Sequence, residues 1–554
     1  MILEKEKNMK HAMNTLKNNE FQDDIEYDSS IEEGKFFLDR YKLLRFLVNV
    51  PVIFIIYYLY NRYVLNINQS IQSIKNVANF IFIIGSIYFI VSTNYILWKK
   101  TYKLEKLFLI IMVPVSLIYS LVILPGMVPD EATHMRLTYS LASQIMGVEK
   151  DKVTVRAEEK YIHDKMPQGP NIADYEYTYS HLLSKESNGK YVTIDSDSAN
   201  WKQIFGYFPA VIGVIFSRTM LFGATPTLYV ARYCNLFFYL WLTYFAIKKI
   251  PIGKQLMFMI SLLPMCSQQM MSLSYDTVLN SATFFCLAYG LFFIYNNDEV
   301  RIDEYIKYLF SAILLLTIKS AVYSFILLIP LLSRFKINSE NTKIETRQKI
   351  ILFISIVIFI LLLNFISFGN KTAVSVDSTQ ASTTTKHIIS WCGLEGYSIS
   401  WLISHPLDGI SLFIRTIVIK GTWYYYSCLG QDLCWLNVKL PNVIFDFWGV
   451  FLILSALKKE KNTIDKRLRI LFTMISIVVF FLVLLSMCIF WTPLIFDHIE
   501  GVQGRYFIPI VYTILIIINN QKICIKADLY KYINIFASML TLISIMNLLS
   551  VCFV

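Results

Sequence analysis

Asp130, Glu131 and His134 stand together in Pro129-Asp130-Glu131-Ala132-Thr133-His134, shortly after an apolar run that ends at Leu124. Pro129 followed by Asp130 is a helix-start signal. On that helix His134 lies four residues from Asp130 and three from Glu131, so the three side chains can meet on one face. Asp130 could also serve simply as an N-cap, with Glu131 and His134 solvated. Ionisable groups at the edge of a membrane span are costly to keep unless they are used. Their presence there points to chemistry on a lipid-borne substrate. Three more polar turns fall at the same level of the expected topology: Ser272-Leu273-Ser274-Tyr275-Asp276, Lys319 in Ile318-Lys319-Ser320, and Gly501-Val502-Gln503-Gly504-Arg505-Tyr506.

These residues need a membrane scaffold, and composition indicates one. The 554 residues are 55% hydrophobic and 16% charged, more apolar than a soluble chain can bury. Apolar runs near the ~20 residues that cross a bilayer core read as helices and not as a barrel. They fall at 44–66, 78–98, 107–126, 227–248, 256–273, 277–295, 305–318, 320–334, 350–368, 441–457, 470–491, 506–520 and 532–553. The expected fold is an all-α polytopic membrane protein of about thirteen transmembrane helices.

The net charge of +11 sits in Lys/Arg clusters between the runs, at 99–106, 334–349 and 458–469. That pattern marks cytoplasmic loops and not a nucleic-acid surface. It places the amino terminus inside, the carboxyl terminus outside, and two large loops, about 127–226 and 369–440, on the outer side. Ile204 to Phe222 is apolar too, but counting it as a crossing would put Lys248, Lys249 and Lys254 outside. Gly206, Pro209, Gly213 and Arg218 interrupt it, so it reads as a juxtamembrane helix. Residues 1–43 are a polar cytoplasmic tail without the apolar core of a cleavable signal peptide.

Within this frame the motifs sit at turns. The segment after Asp130 presents Met135, Leu141 and Ile145 as the apolar face of an amphipathic helix, Asp276 heads the span at 277–295, and Lys319 divides two runs that are short for separate spans. The nine cysteines follow no metal-binding spacing. Cys428 and Cys434 are near enough in sequence for a disulfide, although spacing alone does not favour one.

Taken in order, Pro129-Asp130-Glu131 with His134, Pro251-Ile252-Gly253-Lys254, Ser274-Tyr275-Asp276, Lys319 with Tyr323, and Gly501 to Tyr506 resemble the bacterial membrane proteins of domain-of-unknown-function family 2142, over about Leu107 to Pro509. That family in turn resembles the GT-C superfamily of glycosyltransferases, multispan enzymes that use polyprenyl-phosphate sugars. The resemblance implies a GT-C-like domain over 107–554, with two added spans in 44–106. The protein would lie in the bacterial plasma membrane with its active site outside. It would transfer a sugar, with inversion, from a polyprenyl-phosphate donor to a glycan or lipid acceptor of the cell envelope.

On this resemblance Asp130 is the general base that takes the acceptor proton, and Glu131 or His134 orients the acceptor or completes a metal site. Asp276 is a second acid. Lys319, Arg505 and Gln503 hold the donor phosphate, where negative charge grows. No cofactor is certain; a divalent ion shared by Asp130 and His134 is an open option, because some members of the superfamily work without one. Trp423, Tyr425 and Trp435 could stack on sugar rings or equally belong to an interfacial aromatic belt. Nucleic acid is not an expected partner. A transporter or flippase of lipid-linked saccharides could use the same charges as a pathway, although transporters place such groups at the bilayer midplane. A scaffold in an envelope-assembly complex is a third option.

Overall fold

A computed structural model describes residues 49–65, 67, 71–99, 101–186, 189–296, 300–332, 337–338, 387–525 and 529–553. The tail 1–43, the basic cluster around Lys343 to Lys349 and the expected span 350–368 lie outside the described residues. The chain forms two compact units, Met1–Arg62 and Tyr63–Val554. In the first, residues 49–59 are helical (α1).

The fold is mostly helical, and helices form where apolar runs predict them. Its helices are α2 (Gln72–Trp98), α3 (Leu104–Val122), α4 (Glu131–Ile145), α5 (Ala157–Asp164), α6 (Ile172–Ser180), α7 (Ile204–Thr219), α8 (Ala224–Lys249), α9 (Lys254–Ser261), α10 (Pro264–Met270), α11 (Asp276–Tyr295) and α12 (Ile302–Tyr323). A 3-10 turn, Ser324–Leu332, follows; then come α13 (Ile399–Ser404), α14 (Pro406–Leu429), α15 (Asn442–Ala456), α16 (Lys466–Trp491), α17 (Ile508–Ile516) and α18 (Leu529–Cys552). Among the described residues, five helices are long and apolar enough to cross a membrane: α2, α3, α11, α16 and α18.

Three elements differ from the sequence reading. The run 256–273 is two helices, because Pro264 has no N–H to continue the ladder and instead opens α10. Residues 406–429, expected within a loop, form the 24-residue α14, started by Pro406 and stopped by Gly430 in the left-handed region. The first loop is not purely helical: β1 (Lys152–Arg156) pairs antiparallel with β2 (Tyr191–Asp197). Val153 and Val155 point from β1 into a core shared with α4, α7 and α8.

α11 runs through the middle of the bundle and is buried on nearly every side, its apolar residues falling on every face and its polar ones, Thr277, Asn280, Ser281 and Thr283, buried with them. Against it pack α8, α12 and the 3-10 turn. α7 lies along α8 at unusually close range. A Cβ on Gly213 would stand 2.7 Å from the Ala231 Cα and 3.0 Å from its backbone nitrogen, so only glycine fits. Gly213→Ala is expected to cost about 1–3 kcal/mol of stability by overpacking, read as a fall in thermal midpoint of the purified protein. An unchanged midpoint would show that the two helices are not in this contact.

The basic segments 99–106 and 458–469 meet at one end of the bundle. There Lys254 pairs with Glu105 at 3.3 Å, the Gly253 N–H donates to Glu460 at 2.6 Å, and Arg469 donates to the Asn519 carbonyl at 2.8 Å. The polar turns gather at the opposite end, where α3 and α12 finish and α8 and α11 begin.

A buried network locks the first loop down. Arg156 pairs with Glu159 at 2.7 Å and Glu186 at 2.8 Å, while Arg218 of α7 pairs with the other Glu159 oxygen at 2.7 Å. Arg218 also donates to Ser143 of α4 at 2.9 Å. The guanidiniums serve here because their fork of donors can satisfy several buried acceptors at once.

Candidate functional site

Asp130 heads α4, yet its side chain makes no capping hydrogen bond. Its backbone is left-handed, with φ 65°, a region that Asp tolerates better than most residues. This turn sends the carboxylate across the bundle to Arg505, whose Nη2 lies 2.9 Å from Asp130 Oδ2. Arg505 is 4% exposed and Asp130 is 47% exposed at the side chain, so a sequestered cation carries a carboxylate that faces open space.

Arg505 also pairs with Asp276, Nε to Oδ2, at 3.5 Å. Asp276 opens α11, where the helix dipole favours an anion, and the Ser274 hydroxyl accepts its N–H at 3.1 Å. Gly504 seats the arginine. A Cβ there would lie 2.2 Å from the Cys428 nitrogen, and the 3-10 turn Gly504–Phe507 packs directly on the end of α14. The Nη1 of Arg505 and the Oε1 of Gln503 are buried without hydrogen-bond partners among the described residues, two polar atoms available to a ligand.

Lys319 joins from α12. The helix breaks at this residue (φ −145°, ψ 60°), which turns the ammonium between two rings, 5.2 Å from the Tyr275 centroid and 4.9 Å from that of Tyr506. Such cation–π contacts hold a lysine without cancelling its charge. Tyr323 fixes the other wall by donating to the Tyr506 carbonyl at 2.7 Å.

His134 completes the group. Its Nδ1 shares a 2.8 Å hydrogen bond with the Tyr207 hydroxyl, and its ring meets Tyr275 edge-on at 5.3 Å. Burial, then the charge of Arg505, holds its pKa down to about 3, so the imidazole is neutral. Asp130, His134, Asp276, Lys319 and Arg505 therefore converge from four separated segments.

Glu131 does not join them. Adjacent residues on a helix point roughly 100° apart, and Glu131 turns inward to a bidentate pair with Arg232, at 2.8 and 2.5 Å, with neither side chain exposed. It also accepts the N–H of Gly126 at 2.7 Å and of Leu273 at 3.1 Å. All of its acceptor capacity is spent on structure. The apolar face of α4 also differs: Met135 and Leu141 are buried with Tyr139 and Ala142, but Ile145 is exposed.

The donors of Trp435 and Tyr425 are spent on backbone carbonyls. Trp435 donates to the Gly126 carbonyl at 2.7 Å and Tyr425 to the Phe445 carbonyl at 3.4 Å, while Trp423 is half-buried on α14. Cys428 and Cys434 are buried free thiols, as are four other cysteines, and no disulfide forms among the nine.

A divalent ion does not fit this donor set. Asp130 is engaged by an arginine, two cations lie within electrostatic reach of His134, and no group of three or more His, Cys, Asp or Glu side chains among the described residues could hold a metal. Sequence reasoning missed Tyr207 and Arg232. An arginine inside the apolar run 227–248 was the available signal for the second, since a charge at such a depth requires a partner.

No curated protein and no solved structure matches the chain. The family model described as a predicted membrane protein, DUF2142, matches residues 114–514. That match includes every residue of the converging group and most of the bundle that holds it, and the chain belongs to the DUF2142 family of predicted membrane proteins.

Proposed function

We propose that the protein is a glycosyltransferase that moves a sugar from a polyprenyl-phosphate donor to a cell-envelope glycan or lipid, outside the bacterial plasma membrane. One observation carries the reading: an exposed carboxylate, Asp130, stands 2.9 Å from a buried arginine whose Nη1 has no hydrogen-bond partner among the described residues, with a lysine nearby. The acceptor hydroxyl attacks the anomeric carbon. Its proton passes to Asp130 as the new C–O bond forms, and the sugar–phosphate bond breaks with its electron pair on the phosphate oxygen. Arg505 and Lys319 lie where that charge develops, and fixed cations there stabilise the transition state. Asp276 orients Arg505, and Gln503 offers its amide to the same ligand. Neutral His134 and Tyr207 shape the acceptor side. A single displacement inverts the anomeric centre.

The test is transfer from a radiolabelled polyprenyl-phosphate hexose by the full chain in nanodiscs. Arg505→Met and Arg505→Lys are both expected to lower turnover, the first by about 10²–10³-fold, because lysine keeps the charge but loses the fork. Excess chelator is expected to leave the rate unchanged. Normal donor binding and turnover in Arg505→Met would remove the phosphate role. Movement of intact donor across a bilayer by the wild-type protein, without sugar transfer, would replace catalysis by transport.

A further inference from the structure

A second cleft lies in the first loop, built from residues that the Asp130 centre does not use. Two adjoining hollows, of about 230 and 490 Å³, share Tyr161, Ile162, Tyr177 and Thr225. The larger falls within the ~300–1,000 Å³ of small-molecule sites and the smaller just below it. Aromatic rings form the wall. Tyr161 is 47% and Tyr177 39% exposed, their centroids are 6.3 Å apart, and His181 stacks on Tyr177 at 4.2 Å and 25°.

The wall is rigid for reasons unrelated to any ligand. α6 is tied to the end of α3 by two tyrosine hydroxyls, Tyr175 to the Val122 carbonyl at 2.6 Å and Tyr179 to the Leu121 carbonyl at 2.8 Å. The Asn171 side chain caps it at 3.0 Å. α5 is fixed through the buried Glu159 pairs with Arg156 and Arg218. The rings are therefore held in place before anything binds, which lowers the ordering cost of binding.

The polar lining has no excess of either sign. Lys165 and Lys185 line it together with Glu158 and Asp174 and the hydroxyls of Thr178 and Thr225, and Lys165 donates to the Tyr161 hydroxyl at 3.0 Å with its ammonium 4.5 Å from that ring's centroid. A phosphate or carboxylate ligand would call for net positive charge. Aromatic faces beside mixed donors and acceptors suit a pyranose, whose C–H face lies flat on a ring while its hydroxyls project sideways. Two hollows meeting at shared tyrosines suit adjacent rings of a chain.

We propose that this cleft binds a neutral saccharide chain through Tyr161 and Tyr177, and that the chain is the acceptor glycan of the transfer proposed above; the acceptor role rests on that reading, the saccharide binding does not. The experiment measures binding apart from transfer. The full chain in nanodiscs is titrated with maltohexaose, cellohexaose and chitohexaose, and ring-proton saturation transfer is followed by NMR. At least one hexasaccharide is expected to bind, with affinity at least tenfold weaker in Tyr161→Ala/Tyr177→Ala and retained in Tyr161→Phe/Tyr177→Phe, which keeps both rings. Absence of binding by all three overturns the proposal. So does unchanged affinity in the double alanine variant, which would make the tyrosines interfacial anchors. Saccharide binding that persists in a protein unable to transfer from any donor would sink the glycosyltransferase reading alone; transfer without saccharide binding would sink the cleft alone.

Discussion

Arg232→Met is expected to destabilise the protein by about 3–5 kcal/mol, the usual cost of leaving one member of a buried ion pair uncompensated. Arg232 gives two N–H groups to Glu131 and others to the carbonyls of Ile123 and Leu124, at 2.8 and 3.0 Å. Remove it and the Glu131 carboxylate keeps the Gly126 and Leu273 N–H groups but loses its counter-charge in a place that water does not reach. The clasp joins the end of α3, the start of α4, α8 and the turn before Asp276. Its loss would loosen the two segments that present Asp130 and Asp276. Thermal unfolding in detergent reads the effect. The double variant Arg232→Met/Glu131→Met should be more stable than Arg232→Met alone, because it removes the stranded anion together with its partner. A single variant within about 1 kcal/mol of wild type would mean that the pair is not buried as described.

The same clasp shows where sequence reasoning stops. Spacing grouped Asp130, Glu131 and His134 together and could not separate Glu131 from the others, because the i, i+3 relation says nothing about an arginine a hundred residues away. Lys319 was legible only as a divider. The runs 305–318 and 320–334 read as two short spans separated by the lysine, whereas α12 continues through it to Tyr323 with a break at Lys319 and passes into the 3-10 turn. The alternation of spans and turns put Asp130, Asp276, Lys319 and Arg505 at one level, but that they meet there depends on helix packing that no spacing encodes. The strands β1 and β2 carry a local signal in the β-branched residues of Val153-Thr154-Val155 and Tyr191-Val192-Thr193-Ile194, but segments this short do not encode their pairing across 35 residues. α14 was missed for a different reason: charges at Asp408, Arg415 and Lys420 interrupt its apolar pattern, and hydropathy weighs charge against a helix even where the backbone forms one.

Asp130→Asn is expected to lower sugar transfer by about 10²–10⁴-fold, the range for loss of a positioned general base, while the protein stays folded. Asparagine is the right replacement because position 130 has φ 65°. Asn accepts the left-handed region nearly as readily as Asp, whereas a bulkier or branched residue would strain the turn and confuse chemistry with folding. The amide oxygen can still accept from Arg505, so the arginine is not abandoned. What disappears is the basic oxygen facing the open side. His134 cannot stand in for it, since Nδ1 is occupied by Tyr207 and burial with the Arg505 charge holds the imidazole neutral, its pKa down to about 3. The sign follows from that direction. The stability linked to this histidine is fully present above its ordinary pKa of about 6.5 and is lost as pH falls from there toward 3, because protonation favours the unfolded chain. Between pH 6.5 and 8 the wild-type rate should therefore carry no step from His134. Transfer at the wild-type rate by Asp130→Asn would end the base assignment. A rate step near pH 6.5 that vanishes in His134→Gln would move the proton from Asp130 to the histidine.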